Sequence, residues 1–236
     1  MKKLLALLLA AVMCVSLAAC GGNQEVDDNI ATGDGWIVDK TGTLIVSDMD
    51  MNKIPGYSYS DPAPWYPYRM LIKAIKIKEG ITYIGELAFN SCEKAETIEF
   101  PSTLEQIADK AFTFCTSLKS IAIPDAVNYI GAQAFQGCTA LETVIWAKST
   151  FSMREKTFSG CTALKNVEIP EGVTHIYNLA FENCEELETV TLPDSLSTFE
   201  QDSFQGCTAL VIKCNAGTAA EEMAEKHNVP YELIGE

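Results

Sequence analysis

Apolar and polar positions follow a repeating 23-residue frame, clearest between Thr116 and Cys138. A first extended piece carries apolar residues at Leu118, Ile121 and Ile123. The counterparts are Leu141, Val144 and Trp146, then Leu164, Val167 and Ile169, then Leu187, Val190 and Leu192. Alternation at the end of this piece marks a half-buried strand. Pro101, Pro124, Pro170 and Pro193 close it, because proline cannot donate to a ladder. A second, shorter piece turns Ile84, Ile107, Ile130, Met153, Ile176 and Phe199 inward. A corner follows, built on Phe89, Phe112, Phe135, Phe158, Phe181 and Phe204, with a cysteine three positions after each. Every Phe–Phe and Cys–Cys interval in these two rows keeps the same step. A frame held over six copies predicts a β-rich solenoid of six coils, each stacked on the last. Such a shape offers a long repetitive surface and no ready-made catalytic pocket.

Cysteine usage changes the picture less than its count suggests. Six of the nine cysteines, Cys92 to Cys207, share one phase of the repeat. Residues one coil apart sit on adjacent rungs about 4.8 Å apart and point the same way. The row therefore reads as a buried ladder of small apolar side chains, and parallel Cβ vectors would strain any bridge within it. Charge matters more. The net charge is −15, and it becomes −17 if a leader carrying Lys2 and Lys3 is removed. A surface this acidic repels nucleic acid and anionic headgroups, so nucleic-acid binding is excluded.

The flanks predict caps. Residues 36–71 lie outside the repeat, with a hairpin of two short strands around Lys40-Thr41-Gly42 and an aromatic loop, Pro62-Ala-Pro64-Trp65-Tyr-Pro67-Tyr68. Trp36, Trp65 and Tyr68 either seal the open end of the core or form an aromatic ledge for sugar or peptide. At the other end, residues 211–236, a one-residue deletion puts Leu210, Ile212 and Cys214 on the inward positions. A helix follows, with capping-box spacing between Thr218 and Glu221, an apolar face of Ala220, Met223, Ala224 and His227, and a stop at Asn228 and Pro230. Tyr231 to Ile234 adds a last strand.

Residues 1–20 have a charged start at Lys2 and Lys3, an apolar run from Leu4 to Val15, and the ending Leu17-Ala18-Ala19-Cys20. This ending resembles the lipobox of bacterial lipoproteins. The resemblance implies cleavage before Cys20, lipid on that cysteine, and a mature protein anchored to the membrane outside the cytoplasm. Residues 21–35 read as a flexible linker.

The Ile-Pro strand ends, Ala-Phe corners and Gly-Cys-Thr-Ala-Leu junctions of residues 72–210 resemble the BspA-like (treponemal-type) leucine-rich repeat family. That likeness implies 23-residue leucine-rich repeats between an N-terminal β-hairpin cap and a C-terminal helix-containing cap. It also implies a surface-exposed bacterial protein, some relatives of which adhere to host matrix proteins or to other cells. The expected partner is accordingly a protein, with a glycan as the alternative, on a host or neighbouring cell; a structural envelope spacer is a further alternative.

Catalytic constellations are not legible. The two histidines, His175 and His227, fall in different segments, and there is no phosphate loop or G-x-S-x-G elbow. Asp48, Asp50 and Asn52 begin like a calcium loop, but Lys53 and Tyr59 stand where it needs glycine and glutamate. No cofactor is expected, and the class expected is non-enzymatic. Specificity should lie where outward positions vary. Tyr83, Gln106, Tyr129, Ser152, His175 and Thr198 form one outward row beside the second strand. The coil around Phe151 is the least regular: Ala147 replaces proline, Thr150 replaces an aliphatic residue, and Lys148, Arg154 and Lys156 gather there. A contact surface of Tyr129, Ile145, Phe151, Arg154, His175 and Tyr177 is one reading, since aromatic residues and arginine favour interface centres. Simple decay of one repeat, with Phe151 folded over the core, is the other.

Overall fold

The computed structural model describes residues 29–47, 49, 52–146 and 152–235. The chain winds as a β-solenoid of about seven turns and ends in one helix. In chain order the strands are β1 (Asn29–Gly33), β2 (Trp36–Asp39), β3 (Thr43–Val46), β4 (Lys53–Ile54), β5 (Ala74–Ile77) and β6 (Tyr83–Ile84). They continue with β7 (Thr97–Glu99), β8 (Gln106–Ile107), β9 (Ser120–Ala122), β10 (Tyr129–Ile130) and β11 (Thr143–Ile145). The last turns hold β12 (Asn166–Glu168), β13 (His175–Ile176), β14 (Thr189–Thr191), β15 (Thr198–Phe199) and β16 (Val211–Cys214), then helix α1 (Ala219–His227) and β17 (Tyr231–Leu233).

Most turns contribute one longer strand to one face and one two-residue strand to another. Pairing between turns is parallel and keeps the repeat step, as in Ile75↔Ile98, Val144↔Ile121 and Val167↔Val190. The deletion near the end shows as Val190↔Ile212, one position short of that step. The inward residues of both strands are buried, including Ile84, Ile107, Ile130, Met153, Ile176 and Phe199.

The corner explains why phenylalanine and cysteine recur. At five of the six corners two left-handed residues bracket the ring, Leu87, Lys110, Gln133, Lys156 or Leu179 two positions before and Ser91, Phe114, Gly137, Gly160 or Asn183 two positions after; at Phe204 only Gly206 is left-handed. Left-handed backbone costs about 1–2 kcal/mol for a residue with a Cβ, so the surrounding ladder must hold it. The ladder does so from both sides. The Phe N–H groups from Phe89 to Phe181 donate to the next coil, as in Phe112 N to Ala134 O (2.8 Å) and Phe158 N to Ala180 O (2.8 Å). Each thiol after Cys92 donates back to the preceding coil's Phe carbonyl, from Cys115 to Phe89 (3.4 Å) through Cys207 to Phe181 (3.0 Å). Cysteine thus fits the row as a small side chain that can still donate. The rings stack at 5.1–5.6 Å from Phe89 to Phe204. That interval is set by the rise of the coil.

Two expectations are corrected at the N-terminal end. Residues 29–33, expected as linker, form β1, paired antiparallel with β2. The described residues between 43 and 71, expected to lie outside the repeat, belong to an additional turn. Here β3 pairs in parallel with β5, β4 pairs with β6, and Trp65 stacks on Phe89 at 5.4 Å in place of a corner phenylalanine. Trp65 is 1% exposed and its Nε1 donates to Ala88 O at 2.8 Å. Trp36 packs edge-on against it, and Tyr68 lies against Trp36. Trp65 therefore seals the core and presents no face to a sugar.

At the C-terminal end Thr218 caps α1 by accepting from Glu221 N, while Glu221 accepts from Gly217 N at 2.6 Å. Ala220 and Ala224 are buried, His227 packs on Phe199 at 5.4 Å, and Cys214 is buried. β17 pairs in parallel with β16. Among the described residues no helix is long and apolar enough to cross a membrane.

Candidate functional site

The coil that carries Met153 is irregular in a particular way. Its corner is intact: Phe158 stacks between Phe135 and Phe181 at 5.5 and 5.6 Å, and Phe135 N donates to Thr157 O at 2.9 Å. Both strand faces break there. The short-strand sheet stops at β10, Met153 bridges only to Ile176, and the long-strand sheet, already interrupted between β7 and β9, separates again between β11 and β12. Elsewhere the residue after the short strand donates to the preceding coil, as Ala108, Gly131 and Glu200 do to Ile84, Ile107 and Ile176. Among the described residues no such bond joins Arg154 to Ile130.

A cleft of about 340 Å³ opens at the short-strand break, between Asn128 and Tyr129 on one side and Ser152, Arg154 and Thr174 on the other. Arg154 is exposed, and its Cζ stands 5.2 Å from the Tyr129 ring centre and 5.8 Å from that of Tyr177. The Tyr129 hydroxyl donates to Asp109 Oδ1 at 3.4 Å, and Ala132 N donates to the same oxygen at 3.0 Å. Burial and the Asp109 carboxylate push the Tyr129 hydroxyl up from its ordinary pKa, against the lowering effect of Arg154. His175 stacks on Tyr177 at 3.9 Å and bonds Glu200 Oε1 through Nε2 at 3.2 Å. Among the described residues Arg154 makes no ion pair with a carboxylate.

Of the residues expected to form the contact surface, Tyr129, Arg154, His175 and Tyr177 are brought together. Ile145 is not: it lies 58% exposed on the long-strand face, where Val144, Ile145, Trp146, Glu168 and Pro170 line a separate cleft. The two strand rows diverge after each turn, so nearness in one coil's sequence does not carry across its faces. Phe151 and Cys20 lie outside the described residues, as do Asp48 and Asp50 of the calcium-like stretch. Asp109 and Glu200 complete the cluster and were not expected from sequence. A signal for Glu200 exists, because Gly85, Ala108, Gly131, Arg154, Tyr177 and Glu200 occupy one repeat position. That row is small in its first three members and large in its last three.

Chemically the cluster can hold a guanidinium in place and offer its N–H groups outward. No group of three or more His, Cys, Asp or Glu side chains that could hold a metal occurs among the described residues.

A family model described as the BspA type leucine rich repeat region matches residues 82–211 in six copies. The chain belongs to this family. Among solved structures it is similar to a leucine rich cell surface protein from Faecalibacterium prausnitzii, with 29% identity and a TM-score of 0.52 over 64% of this chain and 50% of that one. It is also similar to a leucine-rich repeat protein from Bacteroides ovatus, with 23% identity and a TM-score of 0.50 over 84% of this chain and 66% of that one. The pneumococcal vaccine antigen PcpA shares the fold at 17% identity and a TM-score of 0.50, over 90% of this chain and 49% of that one. The chain thus spans half the length of the first of these structures and about two thirds of the second. No curated protein matches it. BspA-type repeats spend their recurring positions on the core, as Phe, Cys and the inward aliphatic rows do here. What distinguishes one such protein from another must lie in the outward rows.

Proposed function

We infer that this is a bacterial cell-surface lipoprotein, held outside the cytoplasm through Cys20, which binds a partner protein on a host or neighbouring cell by its short-strand face. It does no catalysis; His175 is engaged with Tyr177 and Glu200, and His227 packs on Phe199. The observation that carries the reading is Arg154, set between Tyr129 and Tyr177 beside an open cleft, with no carboxylate partner among the described residues. Aromatic residues and arginine dominate binding energy where they sit together at an interface centre. The description of the Faecalibacterium relative as a cell surface protein supports the location.

The test is binding of the full chain, in detergent micelles, to immobilised matrix proteins. A Tyr129→Ala, Arg154→Ala double variant should bind at least about tenfold more weakly while still unfolding in one cooperative transition from a native-like fold. Unchanged affinity would sink the site. For the anchor, labelled palmitate should be incorporated into the protein expressed in bacteria, and Cys20→Ala should abolish the label.

A further inference from the structure

We propose that the cleft beside Arg154 is a receptor for a single carboxylate carried by an otherwise uncharged or basic peptide segment of the partner. The proposal deepens the protein-binding reading and rests on it.

Three observations and one general property of arginine lead there. The guanidinium is positioned by two rings and not by an acid, so its N–H groups remain for an incoming acceptor. An arginine fork binds a carboxylate by paired, charge-assisted hydrogen bonds. The rest of the cleft wall offers neutral polar groups, the side chains of Asn128, Ser152 and Thr174. The nearby acids are already engaged: Asp109 by Ala132 N and the Tyr129 hydroxyl, Glu200 by His175.

Charge narrows the ligand further. The chain is −15 overall, so a polyanion is repelled before it reaches the Arg154 guanidinium. A lone carboxylate flanked by neutral or basic residues avoids that repulsion. The rings argue against a sugar. Carbohydrates need a bare aromatic face, but Tyr177 has His175 against it at 3.9 Å and Arg154 beside it, and Tyr129 carries Arg154.

The experiment is a titration of the isotope-labelled full chain, in detergent micelles, with acetyl-Gly-Glu-Gly-amide. The Arg154 Nε–H and the Tyr129 and Tyr177 ring signals are followed by NMR. Those signals should shift and saturate. The Gly-Gln-Gly counterpart should bind at least about tenfold more weakly, and Arg154→Gln should lose the effect to the same degree. Arg154→Lys keeps the charge but not the fork, and should fall between the two. Equal shifts with the glutamine probe, or shifts that survive Arg154→Gln, would overturn the proposal. A glutamate homopolymer should bind no more tightly than the tripeptide, and tighter binding would overturn the single-carboxylate assignment. Glucuronate binding more tightly than the tripeptide would overturn the peptide assignment in favour of acidic glycans. Tripeptide binding that depends on Arg154 supports the proposal even if no partner protein is found. A partner that binds while the tripeptide shifts nothing overturns it and leaves the wider reading standing.

Discussion

The row that follows the short strands divides the solenoid into two regions. In its first half the row is Gly85, Ala108 and Gly131, and the short strands β4, β6, β8 and β10 pair as one sheet. A Cβ at Gly131 would collide with Asp109 N and stand 2.6 Å from the Ala108 carbonyl carbon; at Gly85 it would collide with the Pro55 carbonyl. In the second half the row becomes Arg154, Tyr177 and Glu200, and the sheet opens between Ile130 and Met153. The core beneath is the same in both, with continuous rings and a continuous thiol ladder. A repeat frame can therefore change its outer face without loosening its inner one, because different backbone segments carry the two.

The largest effects test whether the corner holds both regions alike. Phe135→Ala and Phe158→Ala each remove a ring stacked on both sides, and each should cost about 3–5 kcal/mol by urea unfolding. A small loss at Phe158 beside a large one at Phe135 would mean that the opened coil is not held by its corner. Next comes the asymmetry of the outward row. Gly131→Val should destabilise by about 1–3 kcal/mol, since it drives side-chain atoms into the Asp109 and Ala108 backbone. Arg154→Ala faces open space and should cost only about 0.5–1 kcal/mol, the lost ring contacts. Similar costs at the two positions would erase the distinction between the halves.

Thiol reactivity separates the interior of the ladder from its end. Burial pushes Cys115 and Cys161 up to about 12, so both should stay protonated and unreactive. Cys207 is half-buried at the last rung, and the neighbouring Cys184 side chain lowers its pKa. Peptide mapping after brief alkylation should find Cys207 modified well before Cys115 and Cys161.

The smallest effect is acid sensitivity, and it too divides the molecule. The Ser102 N–H and hydroxyl hold Glu79 below its ordinary value of 4.5, and a hydrogen bond from Lys119 does the same for Glu96. For a depressed carboxyl the contribution to stability is full above the ordinary value and is lost as pH falls below it. Amide exchange in residues 74–119 should therefore accelerate before exchange in residues 166–214 as pH drops below about 4. Simultaneous acceleration would remove this difference.

The interior was legible in the chain itself. Inward rows recur at one step because each rung meets only its own copies above and below. Phe89 to Phe204 and Cys92 to Cys207 are set by that rule, while the cap at Thr218 follows from its own local hydrogen bond and Cys214 keeps an inward place across a one-residue deletion. Trp65 was harder to place. It sits one position too far from Phe89 for the repeat step, and the pairs Thr43↔Ala74 and Lys53↔Tyr83 span longer and unequal separations. No single period therefore marks Trp65 as a rung. Its burial against Phe89 emerges only when the N-terminal turn is closed.

The chain alone determined the period, the corner and the set of side chains that fill the core, because steric fit and hydrogen bonding repeat with the sequence. Tertiary structure decided which outward side chains meet. Tyr129, Arg154, Tyr177 and Glu200 come from four successive coils, and their grouping depends on how those coils stack. Ile145 shares a coil with Arg154 yet stands on another face. Distance across a stacked array is set by backbone separation at each break, and no single repeat encodes that separation.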